Sequence, residues 1–131
     1  DLDTVLVGNI SELINYNHTF TALRNFSSVK SSGRMGSAVM AWKGDYKFIY
    51  DAFMENYKKY IAEYTVSQKW GDQGFINNQL NGSFDRWQDL FPGYIVSQKT
   101  DMKNNELPGE AKIVCFHGEP KPWQTKADWI P

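Results

Sequence analysis

Residues 44–64, "GDYKFIYDAFMENYKKYIAEY", constrain this chain more than any other stretch. Ile49, Phe53, Tyr57, Tyr60, Ile61 and Tyr64 recur at spacings of three and four, and Lys58 and Lys59 fall on another face. That period predicts one amphipathic helix with a core-facing stripe. Everything around it is shorter. "DLDTVLVG" reads as the end of a buried strand and a turn, "TFTALRNF" as a second strand, and "MGSAVMAW", 35–42, as a third. "YIVSQ" and "AKIVCF" supply two more strands after the helix, joined by the polar loop "TDMKNNELPGE". "SSVKSSGR" is a further polar, Gly-containing loop. Between them "GDQGFINNQLNG" predicts a short helix with Asp72 as its N-cap and Gly82 at its end. "DRWQDLFPG" is a turn or short helix stopped by Pro92. In the proline-rich tail, Trp123 and Trp129 are the expected anchors. Short strands interleaved with a central helix define a mixed α/β class, and residues 1–131 form one domain or part of one.

Charge and cysteine narrow the function classes. The formal net charge is −1, so the chain offers no basic field for a nucleic-acid backbone. No apolar run approaches the ~20 residues of a membrane span. Cys115 is the one cysteine and cannot form an internal disulfide, which points to a reducing, cytoplasmic setting. Its context, "KIVCF", reads as core. Four N-x-S/T sites, at Asn9, Asn17, Asn25 and Asn81, fit either a secreted glycoprotein or Asn-rich loops, and the free thiol favours the loops.

Three constellations could carry chemistry. Asp1 and Asp3 are two apart, so on a strand they would share a face, and paired carboxylates repel unless a cation lies between them. His117, in "CFHGEPKPW", follows directly on a short apolar strand, and neutral imidazole is a good ligand for Mn²⁺ and later metals. Lys121 in the same run offers a compact cation to phosphate oxygens, with Pro120 and Pro122 fixing φ on either side. Asp72 and Gln73, in "GDQG", form a donor and acceptor pair suited to sugar hydroxyls.

Taken in order, "DLD", "MGSAVMAW", "GDQGFINNQL" and "HGEPKPW" resemble nucleotide-sugar glycosyltransferases of the glycogenin and bacterial galactosyltransferase type, which have the A-type glycosyltransferase fold. The resemblance spans nearly the whole chain, and its first and last motifs carry most of the weight. It implies that Asp1, Asp3 and His117 bind Mn²⁺ or Mg²⁺, and that Gly118 and Lys121 hold the donor diphosphate. It implies that Asp72 and Gln73 sit near the transferred sugar and its acceptor. The partners would be a nucleotide-diphosphate sugar donor and an unidentified acceptor.

The sequence departs from the family in three places. His117 and Lys121 are four apart, where the glycogenin-type ending spaces them by six. "MGSA", from Met35 to Ala38, stands where the family often carries Asn-Ser-Gly. The family's D-x-D ends a strand in mid-domain, after a nucleotide-binding β-α-β half of roughly a hundred residues, whereas here the motif opens the chain. The resemblance therefore predicts the C-terminal part of a nucleotide-diphospho-sugar transferase fold, inactive alone. It also predicts that "DTVLV" lies at a sheet edge and that the chain pairs as a homodimer. Two other classes fit parts of the sequence. "DLDTV" matches the nucleophile loop of aspartate-nucleophile (haloacid-dehalogenase-like) phosphatases, though "HGEPKPW" then has no role. A non-catalytic carbohydrate-binding module would use the abundant Trp and Tyr for stacking.

Overall fold

In the computed structural model, residues 1–26 and 33–130 are described. The first six residues of "SSVKSSGR", 27–32, lie outside them. The chain is mixed α and β, with two small three-stranded sheets and five helices among these residues. The first sheet has the order β1-β6-β5: β1 (Thr4–Leu6) runs antiparallel to β6 (Ile113–Cys115), and β6 runs parallel to β5 (Ile95–Ser97). The second has the order β3-β2-β4: β2 (Phe20–Arg24) is antiparallel to β3 (Met35–Trp42) and parallel to β4 (Asp85–Arg86). The helices are α1 (Ser11–Asn15), α2 (Lys47–Glu55), α3 (Tyr57–Tyr64), α4 (Gly71–Gln79) and α5 (Trp87–Leu90). None is long and apolar enough to cross a membrane.

The continuous apolar runs arise because both faces of the central strands are covered. Along β6, Ile113 and Cys115 point into one cluster with Leu13, Leu23, Trp87 and Ile95. Val114 points the other way, into a cluster with Val96, Met102, Ala111 and Phe116. Successive strand side chains alternate faces, so a strand buried on both sides loses its polar alternation. In β2, Leu23 joins the first cluster while Phe20 and Ala22 pack with Met35 and Leu80 in a third. Leu23 and Trp87, in or beside the second sheet, thus share a core with Ile95 and Ile113 of the first. Also in β2, Thr21 is fully buried and bonds His18 Nδ1 at 2.8 Å, and His18 Nε2 meets the Leu13 carbonyl at 2.7 Å.

Five local expectations need correction. The central helix is two helices, because Asn56 (φ −147°, ψ 42°) leaves the helical region between α2 and α3. Asn disfavours helix interiors, where its amide competes for backbone partners. The stripe divides accordingly: Tyr64 is buried on Phe75, whereas Tyr57 and Ile61 are 41% and 51% exposed. Asp72 lies inside the first turn of α4; the cap position is Trp70, held left-handed at φ 61°. β1 begins after the "DLD" triplet, which forms a turn, and the strand is only partly buried. In the tail, Trp129 is an anchor, stacked on Phe116 and bonded to the Asn105 carbonyl at 2.8 Å. Trp123 is 70% exposed and anchors nothing. "DTVLV" does lie at an edge, with β6 on one side.

Candidate functional site

Strand register explains why the two ends of the sequence meet. β1 pairs with β6 as Thr4↔Cys115, so the turn before β1 lies beside the residues after β6, and Phe116 N–H donates to the Asp3 carbonyl at 2.7 Å. β5 runs parallel to β6 with Ser97↔Cys115, which brings the end of β5 to the same place. The crevice at the carboxyl ends of parallel strands is where open α/β sheets bind ligands. From the second sheet, the start of β3 arrives there too: the Asp1 backbone nitrogen donates to the Ala38 carbonyl at 3.2 Å.

The result is a polar cavity of about 430 Å³. Asp1, Asp3, Asp72, Gln73, His117 and Gly118 all line it, six of the seven residues singled out from sequence. The seventh, Lys121, reaches in from the side and forms an ion pair with Asp3 Oδ2. Its backbone is pinned. The Gln124 side chain accepts from Lys121 N–H at 2.6 Å, and Gln124 N–H and the Thr125 hydroxyl both donate to the Lys121 carbonyl. Pro122 opens a short 3₁₀ turn there, Pro122–Gln124, and Lys121 takes the extended conformation that a following proline favours.

His117 is oriented by its neighbours. Its ring stacks on Phe26 with centroids 5.8 Å apart and planes 5° from parallel. Nε2 lies 2.7 Å from Ser97 Oγ. That hydroxyl already accepts from the backbone N–H groups of Lys99 and Thr100, each at 3.2 Å, so its single proton points at Nε2. The neutral tautomer with Nδ1–H follows. Partial burial lowers the His117 pKa, the Lys99 charge lowers it further, and Asp101 opposes both. Asp101 in turn accepts from Ser97 N–H at 2.7 Å.

Asp72 is placed by a strained turn. Trp70 and Gly71 are both left-handed, with Arg34 stacked over the Trp70 ring at 3.2 Å. The chain then folds back so tightly that a Cβ on Gly74 would fall 1.8 Å from the Lys69 carbonyl oxygen. Only glycine fits, which explains the second glycine of "GDQG". With α4 set this way, Asp72 Oδ2 accepts from Ser37 Oγ at 2.8 Å. Asp72 enters from this turn and not from a strand end, so the phosphatase arrangement gains no support.

Several site residues left no trace in the sequence. Ser97 is reached only through the β5–β6 register. Lys99 is a second cation here, with Nζ 3.7 Å from the place a Gly118 Cβ would occupy. Ser37 and Phe26 come from the second sheet and its following loop. Cys115 also lines the cavity, but burial pushes its thiol up to about 12, so it stays protonated and is no nucleophile at neutral pH.

Two carboxylates and an imidazole facing one cavity have the donor chemistry for a divalent cation such as Mn²⁺. Among the described residues, no three His, Cys, Asp or Glu side chains are grouped closely enough to hold one as they stand. Asp3 is engaged by Lys121, and the free ring nitrogen of His117 carries the proton. A cation at the ring would require Lys121 to leave Asp3, and the imidazole to move its proton to Nε2, which Ser97 Oγ could accept only by releasing the Lys99 or Thr100 N–H. No protein-family model matches the chain, and no curated protein matches it.

Proposed function

We propose that this chain is the metal- and acceptor-side part of a nucleotide-diphospho-sugar transferase fold, acting in a metal-dependent glycosyltransferase. The observation that carries the proposal is the joint lining of one cavity by residues from both ends of the sequence and from α4. Asp1, Asp3 and His117 would hold Mn²⁺ or Mg²⁺, which supplies Lewis-acid stabilisation to a leaving diphosphate. Lys121 would exchange its carboxylate partner for a diphosphate oxygen. Gly118, left-handed at φ 77° and close to the Lys99 ammonium, lets a phosphate approach the backbone without a Cβ in the way. In the transfer, the bond between the anomeric carbon and the diphosphate oxygen breaks, and its electron pair leaves with the diphosphate. The acceptor hydroxyl oxygen bonds that carbon, and its proton passes to the departing diphosphate oxygen. Asp72, oriented by Ser37, and Gln73 beside it would hold sugar and acceptor hydroxyls during that exchange.

Cation and diphosphate binding are coupled in this arrangement. Lys121 and a cation compete for Asp3, and a diphosphate relieves the competition by taking Lys121. Electron paramagnetic resonance of Mn²⁺, titrated with protein in the presence and absence of uridine diphosphate, tests it. The free-ion signal should fall more with protein and nucleotide together than with either alone, and Asp3→Asn and His117→Gln should each abolish the excess. An equal fall in both variants would refute the assignment.

A further inference from the structure

A second cavity, of about 780 Å³, lies between β3 and helices α2, α3 and α4. Its chemistry is unlike that of the first. Trp42, Ile49, Tyr50, Phe53, Ile61 and Phe75 are among its walls. Several remain open to solvent: Trp42 is 53% exposed, Tyr50 61% and Ile61 51%. Among the described residues, Asp72 is the one side chain that lines both cavities.

We infer that this apolar cavity receives the apolar part of the acceptor, an amphiphilic molecule whose hydroxyl-bearing head lies at Asp72 and whose aromatic or alkyl tail lies against α2 and α3. The inference deepens the transferase reading and rests on it. Three observations select this occupant. The volume falls within the ~300–1,000 Å³ typical of small-molecule sites, whereas a protein partner needs a broader face. The walls offer several aromatic rings, which suit a flat or chain-like apolar body. Asp72 stands at the border, and an all-apolar cover would strip its carboxylate of water and leave it the Ser37 hydroxyl alone in compensation. A ligand hydroxyl there replaces the lost water. The charged residues elsewhere on the rim do not compete for that hydroxyl: Lys47 is engaged by Asp51 at 2.6 Å, and Asp45 accepts from the Lys47 backbone N–H at 2.8 Å.

The test is titration of the chain with phenyl and methyl β-D-glucosides and β-D-galactosides, followed by Trp fluorescence and calorimetry, without Mn²⁺ or nucleotide. The phenyl glycosides should bind about tenfold or more tighter than the methyl ones, the gain expected for burying one ring. Tyr50→Lys and Ile61→Lys change exposed side chains and should keep the circular dichroism spectrum while erasing the phenyl preference. Asp72→Asn should weaken all four glycosides and leave the preference intact. Phenol binding as tightly as its glycosides, or no preference in any pair, would overturn the inference. So would a concentration-dependent dimer that Ile61→Lys dissolves, since the occupant would then be a second copy of the chain. A phenyl preference without nucleotide-dependent Mn²⁺ binding would instead retire the transferase reading and leave an amphiphile site, so the two failures are distinguishable.

Discussion

The two cavities that share Asp72 were assembled by different means. The polar one is built from chain segments far apart in sequence, joined largely by strand register: the turn before β1, the end of β2, the start of β3, the start of α4 and the loop after β6. Its side chains already satisfy one another, Lys121 on Asp3, Ser97 on His117 and Ser37 on Asp72. The apolar one is built largely from one contiguous stretch, residues 40–76, and several of its walls, Trp42, Tyr50 and Ile61 among them, stay open to solvent. The contrast teaches where each kind of site gets its order. A polar site needs its members held in mutual hydrogen bonds, since an unpaired buried polar group is costly. An apolar cavity needs only that its helices do not close on each other, and the break at Asn56 keeps α2 and α3 from running on as one rod.

The largest break in this arrangement should come from Gly74→Ala. Its new Cβ would sit 1.8 Å from a backbone oxygen, so the turn at Trp70–Gly71 or the start of α4 must move. Both cavities lose their common wall when Asp72 moves. Overpacking against backbone should cost about 3 kcal/mol, a drop of roughly 10 °C in Tm, readable by calorimetry. A neutral Gly74→Ala would mean that the close approach relaxes at no cost, and that α4 is not what fixes Asp72.

Lys121→Met separates the cavities. The methionine keeps most of the stem that packs against the site but removes the charge that holds Asp3, where both side chains are only about a quarter exposed, 24% and 23%. Stability should fall by roughly 1 kcal/mol, the size of a hydrogen-bonded ion pair in a partly open position. Mn²⁺ affinity without nucleotide should rise about tenfold as Asp3 is freed, while the benefit from uridine diphosphate disappears. Phenyl glycoside binding should not change. A loss of glycoside binding in this variant would show that the two cavities are one.

How much of this could be read beforehand depends on what kind of contact holds a residue in place. β3 was legible to the residue, because an eight-residue apolar run between polar loops has few other fates. The gathering of Asp3, Asp72 and His117 was expected from a resemblance between motifs, and no spacing in the chain implies it. Ser97 and Lys99 were invisible, because only the β5–β6 register brings them to His117. The stripe of residues 49–64 reads as core, since a helical period reports amphipathicity and does not distinguish a face that packs from one that borders an open cavity. Asp72 reads as a cap because acidic residues do open helices, yet here the left-handed Trp70–Gly71 turn starts α4 and frees the carboxylate for Ser37.

The smallest effect concerns acid. His117 has a pKa below the ordinary 6.5 in the folded chain, chiefly through burial and then through Lys99. Well above pH 6.5 the ring is neutral in both folded and unfolded chains and contributes no pH dependence. As pH falls through 6.5, the unfolded chain binds a proton and the folded chain resists, so the folded state loses stability until its own lower pKa is reached. The hydrogen bond at Nε2 works in the same direction, because a proton arriving there must displace the one Ser97 Oγ donates. Thermal melts of wild type and His117→Gln between pH 7.5 and 5 (a range chosen to bracket the ordinary histidine value) isolate this contribution from that of the carboxylates. Wild type should lose more stability than the variant as the pH drops, and phenyl glycoside affinity, governed by the other cavity, should stay level. Parallel curves for the two proteins would mean that the imidazole is solvated as freely in the fold as out of it, and the polar cavity would lose its claim to be a preorganised site.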